Sequence, residues 1–245
     1  MRHWLAPLVL CSALAAAADL QGYTEEFPPF NYLDKGAPAG LANDILDRVM
    51  ARSGLSIERS SLPWPRAVQM TASSPNSLLY TTVRTPAREA QYRWVGPYDD
   101  CDVVLIKLRS RKDLQIGKLE DARNYLVGAV RGAAASQLLQ EKQFPARNLT
   151  LVSDEEAVLR MLFAGRTDLN AGMFLPHGHL ARQLGLPAQE MEVAHILQKG
   201  GGCYFAFNSK VDPALFARFE KAFEALRSSG ELQQLQLRHG GRKGS

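Results

Sequence analysis

The most constraining feature of this sequence is an alternation of strand and helix patterns that runs once, halts near Pro97 and Tyr98, and then starts again. In the first run, Asp19 to Tyr23 reads as a strand. Leu41, Ile45 and Val49 with Leu46 and Met50 trace one face of a helix that stops at Gly54. Ser56 to Leu62 reads as a strand, Pro65 to Thr71 as a short helix with proline in its first turn, and Ser77 to Val83 as a third strand. A chain so ordered folds as a βαβαβ lobe.

The second run repeats the plan. Val103 to Lys107 and Tyr125 to Val130 read as strands, and Gly132 opens a helix through Leu139. Leu149 to Val152 (strand), Asp154 to Phe163 (helix) and Asp168 to Asn170 (strand) follow. Cys203 to Asn208 gives one more strand, and Leu215, Phe216, Phe219, Phe223 and Leu226 make an amphipathic helix that ends before Gly230. The predicted fold class is therefore α/β in two lobes.

Ahead of the first strand, Arg2, an apolar run from Trp4 to Leu14, and alanines at 16 and 18 have the layout of a cleavable secretory leader over residues 1–18. The run falls short of the roughly 20 residues that span a bilayer. Leu10 before Cys11 argues against lipid attachment there. The remaining chain, about 225 residues with 46% hydrophobic content overall, suffices for two modest cores. Its charges are dispersed and sum to only +4 before the leader is removed, which argues against a nucleic-acid partner. Cys101 and Cys203 remain after cleavage. In an oxidising compartment they pair, or else they are two buried thiols acting as small hydrophobes.

Phe27-Pro28-Pro29-Phe30-Asn31-Tyr32, Gly40 at a helix start, Thr85-Pro86-Ala87-Arg88, Trp94-Val95-Gly96-Pro97-Tyr98, Gly165-Arg166-Thr167-Asp168 and the Tyr204 to Asn208 strand occur in this order. Together they resemble the landmarks of the family 3 extracellular solute-binding proteins, the polar amino-acid receptors of ABC transporters. That resemblance implies a type II periplasmic-binding-protein fold. Lobe one would be 19–99 plus 209–245, lobe two 100–208, and two crossover hinge strands would lie near 99–104 and 202–207. Those strands carry Cys101 and Cys203, so the resemblance also suggests a disulfide across the hinge. It further implies a monomer in the periplasm, without cofactor or metal, that serves an inner-membrane permease.

The resemblance assigns the site as well. Arg88, from the Thr-x-x-Arg motif, would grip a ligand carboxylate, for which its planar fork is suited. Phe27 and Trp64 would stack on the ligand, and Thr82 is a further ligand-binding candidate. Apart from the resemblance, Arg66 and Arg84 are additional cations beside the predicted mouth, or else solvated side chains. Gly132-Ala133-Ala134 keeps a helix N-terminus near an anion but lacks the family's hydroxyls. Where the receptors carry the acid that holds the ligand's ammonium, this chain has Met173. Glu25 or Glu26 would have to supply a negative charge instead, and Asp168 is expected to stabilise its lobe. His177 and His179 read as a surface loop rather than a metal site. No nucleophile elbow, zinc-protease motif or phosphate loop occurs. The leading expectation is a transport receptor for a small, carboxylate-bearing solute and not an enzyme. A sensory binding protein is the alternative, followed by a lyase using Glu25 or Glu26.

Overall fold

The computed structural model describes residues 18–239, so the expected leader, but for Ala18, and the tail from Gly240 lie outside the described residues. Two five-stranded sheets form two lobes. Lobe one starts with β1 (Leu20–Thr24), a small hairpin of β2 (Tyr32–Asp34) and β3 (Ala37–Ala39), α1 (Leu41–Ser53), β4 (Ile57–Ser61), α2 (Trp64–Ser73), β5 (Ser77–Val83) and β6 (Tyr92–Asp99). Lobe two holds β7 (Val103–Leu108), α3 (Leu119–Ala122), β8 (Val127–Val130), α4 (Ala134–Glu141), β9 (Leu149–Val152), α5 (Glu155–Phe163), β10 (Leu169–Gly172), α6 (Phe174–Gln183) and β11 (Met191–Gln198). The chain then returns to lobe one through β12 (Cys203–Asn208), α7 (Pro213–Ser228) and α8 (Glu231–Arg238).

Both lobes use one plan. Sheet one has the order β4-β1-β5-β12-β6 and sheet two the order β11-β7-β10-β8-β9. In each, three strands are parallel and the strand beside them is reversed: β12 is antiparallel to β5 and β6, and β7 is antiparallel to β10 and β11. Each reversed strand is the one the chain lays down immediately after crossing between lobes. β5 is buried at all seven positions, the pattern of a strand covered on both faces.

This topology moves the expected lobe boundary. Cys203 already pairs with Val83 of β5 and Asp99 of β6, so Cys203–Asn208 is a central strand of lobe one from its first residue. The second crossing is therefore the short, glycine-rich stretch at 199–202, rather than a strand at 202–207. The first crossing is equally short, at 100–102 between β6 and β7. Cys101 sits on the first crossing and Cys203 opens β12 directly after the second; a disulfide joins them, their Cα atoms 5.5 Å apart.

Local sequence explains how the first-lobe loops reach the cleft. Leu41 and Ala42 at the start of α1 donate their N–H groups to the carbonyls of Pro29 and Phe30, so the loop after β1 caps this helix. Gly40 makes the approach with φ of 101°, and a Cβ there would lie 2.6 Å from both carbonyl oxygens. Backbone cannot yield as a side chain can. Gly40→Ala is expected to cost about 1–3 kcal/mol, from strain and overpacking, which a lowered melting temperature with retained secondary structure would register.

Candidate functional site

The cleft lies where the parallel strands of both sheets end. At the carboxyl ends of β1 and β5 and just beyond them stand Glu25, Phe27, Thr81, Val83 and Arg88, with Trp64 at the start of α2. From the other lobe, the ends of β8, β9 and β10 present Ala133 to Ala135, Glu155 and Gly172 with Met173. Crevices outside the carboxyl ends of parallel strands are the usual ligand sites of open α/β sheets. The cavity measures about 40 Å³. At roughly 10–15 Å³ per water this admits about three water molecules. A ligand the size of an amino acid therefore requires the lobes to part.

Two of the hydrogen bonds between them cross at the cavity, and both end on one carbonyl. Trp64 Nε1 donates to Gly132 O at 3.0 Å, and Arg88 Nη2 donates to the same oxygen at 2.7 Å. Arg88 also donates from Nη1 to Val83 O at 3.1 Å, and its guanidinium lies 5.4 Å from the centre of the Trp64 ring. Arg88 is only 4% exposed. Burial pulls its pKa down to about 10, against the opposing pull of Tyr92, Glu25 and Glu141, so it stays a cation at neutral pH. Its recorded hydrogen bonds go to carbonyl oxygens, and its remaining N–H donors are available at the cavity wall.

The loop around Glu25 is fixed by a buried polar network. Asn31 Nδ2 donates to Thr24 Oγ1 and to Glu25 O, both at 2.7 Å, and Asn31 Oδ1 accepts from the Thr81 hydroxyl, which in turn accepts from Tyr98. Thr81 has φ of 58° beside a register shift in the β5–β12 pairing. A strained, non-glycine backbone in a strand that ends at a cleft is the kind of outlier found at ligand sites.

Several expected contacts are placed elsewhere. Arg66 is exposed on α2 and does not line the cavity. Arg84 points to the hinge surface, where it pairs with Glu89 and lies 5.6 Å from the ring centres of Trp94 and Tyr204. Thr82 is fully buried between the two wall residues Thr81 and Val83, its hydroxyl without a hydrogen-bond partner. Glu26 faces away as well, accepting from Leu33 N and the Ser61 hydroxyl. Asp168 accepts from Arg111 and from Leu126 N, which ties lobe two internally. Arg88, Phe27, Trp64, Glu25, Ala133 and Met173 do converge on one cavity.

His177 departs from the expected surface loop. It lies on a helix, α6, and is 1% exposed rather than on a surface loop. Pro176 suggested a loop, yet proline is tolerated in a helix's first turn, where its missing N–H has no intrahelical partner. His177 Nδ1 lies 2.8 Å from Met173 O, and its Nε2 lies 3.2 Å from Glu155 Oε2. Glu155, which the sequence did not bring forward, lines the cavity as the first residue of α5 after the N-cap Asp154. A signal existed: an acid at a helix start, just beyond a parallel strand. No group of three or more His, Cys, Asp or Glu among the described residues is placed to hold a metal ion, and no helix among them is long and apolar enough to cross a membrane.

Enclosure pushes Glu25 well above the usual carboxylate range, with Glu155 adding to the effect, Arg88 opposing it and Asp154 adding again. Burial works against a charge on His177, but the carboxylate of Glu155 and the Met173 carbonyl outweigh it and raise the pKa above its ordinary value. Both groups thus hold protons in the folded state that they release when unfolded. The folded state binds more protons, so stability falls as pH rises through a window opening near 4.3 for Glu25 and near 6.5 for His177. His179, lowered by burial and by Arg182, acts the other way on the acid side of its ordinary value. The melting temperature is expected to drop between pH 5 and pH 8, and Glu25→Gln to flatten that slope.

Two α/β lobes that meet over a cavity, joined by two short crossings, define a hinged clamp for a small molecule. The chain belongs to the bacterial extracellular solute-binding proteins, family 3, whose family model matches residues 21–242. No curated protein matches the sequence. Among solved structures, a histidine kinase sensor domain with similarity to periplasmic binding proteins is alike with a TM-score of 0.81 at 19% identity, covering 92% of this chain and 97% of that one. The arginine-, lysine-, histidine-binding protein ArtJ from Geobacillus stearothermophilus has a TM-score of 0.79 at 17% identity, covering 93% of this chain and 97% of its own. An ancestral amino-acid-binding protein, AncCDT-1, a precursor of cyclohexadienyl dehydratase, has a TM-score of 0.73 at 16% identity, covering 89% and 93%.

Proposed function

We propose that this chain is a monomeric periplasmic receptor, exported by the leader at 1–18, that closes its lobes on a small polar solute bearing a carboxylate and delivers it to an inner-membrane ABC permease. Arg88 carries the reading. A permanent cation that is 4% exposed and hydrogen-bonded to carbonyl oxygens is an incomplete arrangement, because burying an unpaired charge is costly. A bidentate carboxylate from the ligand completes it. As the lobes part to admit solute, Arg88 and Trp64 leave Gly132 O, and the ligand's oxygens take up the freed donors. The amino-acid-binding proteins among the similar structures support an amino acid or a close relative as the ligand class. Binding, rather than turnover, is the activity proposed.

A thermal-shift screen of the mature chain against amino acids and organic acids tests this. A ligand at 100 times its dissociation constant adds about 2.7 kcal/mol, or roughly 5–10 °C in a domain of this size. Absence of a shift with every carboxylate tried would sink the reading. A second role, reporting the ligand to a membrane signalling partner, draws support from the likeness to the histidine kinase sensor domain. Ligand-dependent transport by a reconstituted permease separates the two.

A further inference from the structure

The acid expected at position 173 is a methionine, but the cavity is not without carboxylates. Glu25 from lobe one and Glu155 from lobe two both line it. Lobe closure is what brings them to one space, since they sit on opposite sides of the cleft. Among the described residues, no cation lies within ion-pair distance of Glu25, and Glu155 has only His177.

The Glu155–His177 contact is not a finished ion pair. Although 3.2 Å apart, Glu155 Oε2 and His177 Nε2 are both buried without an aligned hydrogen-bond partner. Buried polar atoms are nearly always satisfied, so an orphaned carboxylate oxygen on a cavity-lining residue that is 8% exposed calls for a donor. The histidine itself is firmly placed. Its Nδ1 donates to Met173 O, and its ring packs so closely on Gly172 that a Cβ there would lie 2.3 Å from Cε1. Nδ1 carries its hydrogen, which leaves Nε2 on the side of Glu155.

We propose that Glu25 and Glu155 form a two-carboxylate site for the ammonium of a zwitterionic ligand, held from behind by His177, and that the ligand exchanges there for a proton. This rests on the receptor reading above and names the ligand class more narrowly. An enclosed acid beside a second carboxyl group favours its protonated form until a cation replaces the proton. Arg88 takes the ligand's carboxylate at the lobe-one wall, and the acids take its opposite charge. The charged or titratable neighbours of Glu25 are Arg88, Asp154 and Glu155, and Glu155 faces His177 and Glu25. Arg88 also feels Tyr92 and Glu141. Burial favours the protonated form of Glu25, in keeping with the exchange.

Calorimetry on the mature wild-type chain, with the twenty standard L-amino acids and the same acids lacking the α-amino group as probes, tests the site. At least one amino acid is expected to bind about 30-fold or more tighter than its des-amino counterpart. That advantage should grow from pH 5.5 to pH 8, by up to about tenfold per pH unit for each proton released. The heat should also depend on the ionisation enthalpy of the buffer, the signature of proton release. Glu155→Gln and Glu25→Gln should each reduce the ratio about tenfold or more. Should Glu155→Gln fail to fold, Glu25→Gln in its loop and the wild-type pH series still decide. Equal binding of amino and des-amino acids, or an unchanged ratio in the folded variants, overturns the cation site and leaves the receptor reading standing. Absence of binding by either series overturns the receptor reading, and the cation site with it.

Discussion

Arg88→Ala is expected to weaken binding of the carboxylate ligand by roughly 30- to 5,000-fold, the range set by the 2–5 kcal/mol that truncating one partner of a buried charge pair costs. The effect is large because Arg88 acts twice. In the proposed role it neutralises the ligand's anion while itself only 4% exposed, and it also bonds Gly132 O across the cleft. Arg88→Lys keeps the charge but loses the fork and the stacking on Trp64, so an intermediate loss is expected. The fold should survive both changes, because Arg88 lies on a short 3-10 turn at the cavity wall and replacing a buried cation also removes its desolvation penalty. Calorimetry beside thermal melts measures both quantities. Wild-type affinity in Arg88→Ala would contradict the assignment of the carboxylate site.

The parts of the fold that were legible in sequence are those where one local period dominates. Leu149–Val152 and Cys203–Asn208 are found at their predicted bounds, and Gly54 closes α1 in the left-handed conformation that favours glycine. The α/β two-lobed class followed from the repeated alternation. Elements with mixed signals were lost. α6 carries Pro176 and Gly178, which read as breakers, and only packing of His177 on Gly172 and Glu155 shows why a helix stands there. β11 is an edge strand of half-exposed residues with two register shifts, too irregular for a period to show.

The site divides the same way. Residues fixed by a motif or by an unusual setting, such as Arg88 and Trp64, reach the cavity. Residues nominated for charge and nearness alone, such as Arg84 and Arg66, do not. Sequence distance cannot say which way a long side chain turns: Glu89 and two aromatic rings draw Arg84 toward the hinge surface. Glu155 went unseen because its importance depends on Glu25, 130 positions away, being carried to the same space by lobe closure.

The largest stability effect is expected at the hinge. Cys101 and Cys203 are separated by 102 positions, and the loop they close contains the whole of lobe two, from β7 to β11. Chain-entropy arguments give about 4.7 kcal/mol for a loop of roughly 100 residues, within an observed range near 2–5 kcal/mol for native disulfides. At about 2–4 °C per kcal/mol for a chain of this size, replacing both cysteines by serine should lower the melting temperature by roughly 5–20 °C. The bond ties the first crossing to the start of β12 and is absent from the cavity wall, so it constrains the unfolded chain more than it shapes the site. Ligand affinity of the double serine variant should therefore stay within about threefold of wild type once temperature is held well below its melting point. In intact-mass measurements, the denatured native protein should accept two alkyl groups only after reduction. A melting temperature shifted by less than about 2 °C in the double variant would mean that the crosslink adds nothing to stability. Loss of affinity alongside an unchanged melting temperature would instead make the hinge bond part of the closing motion.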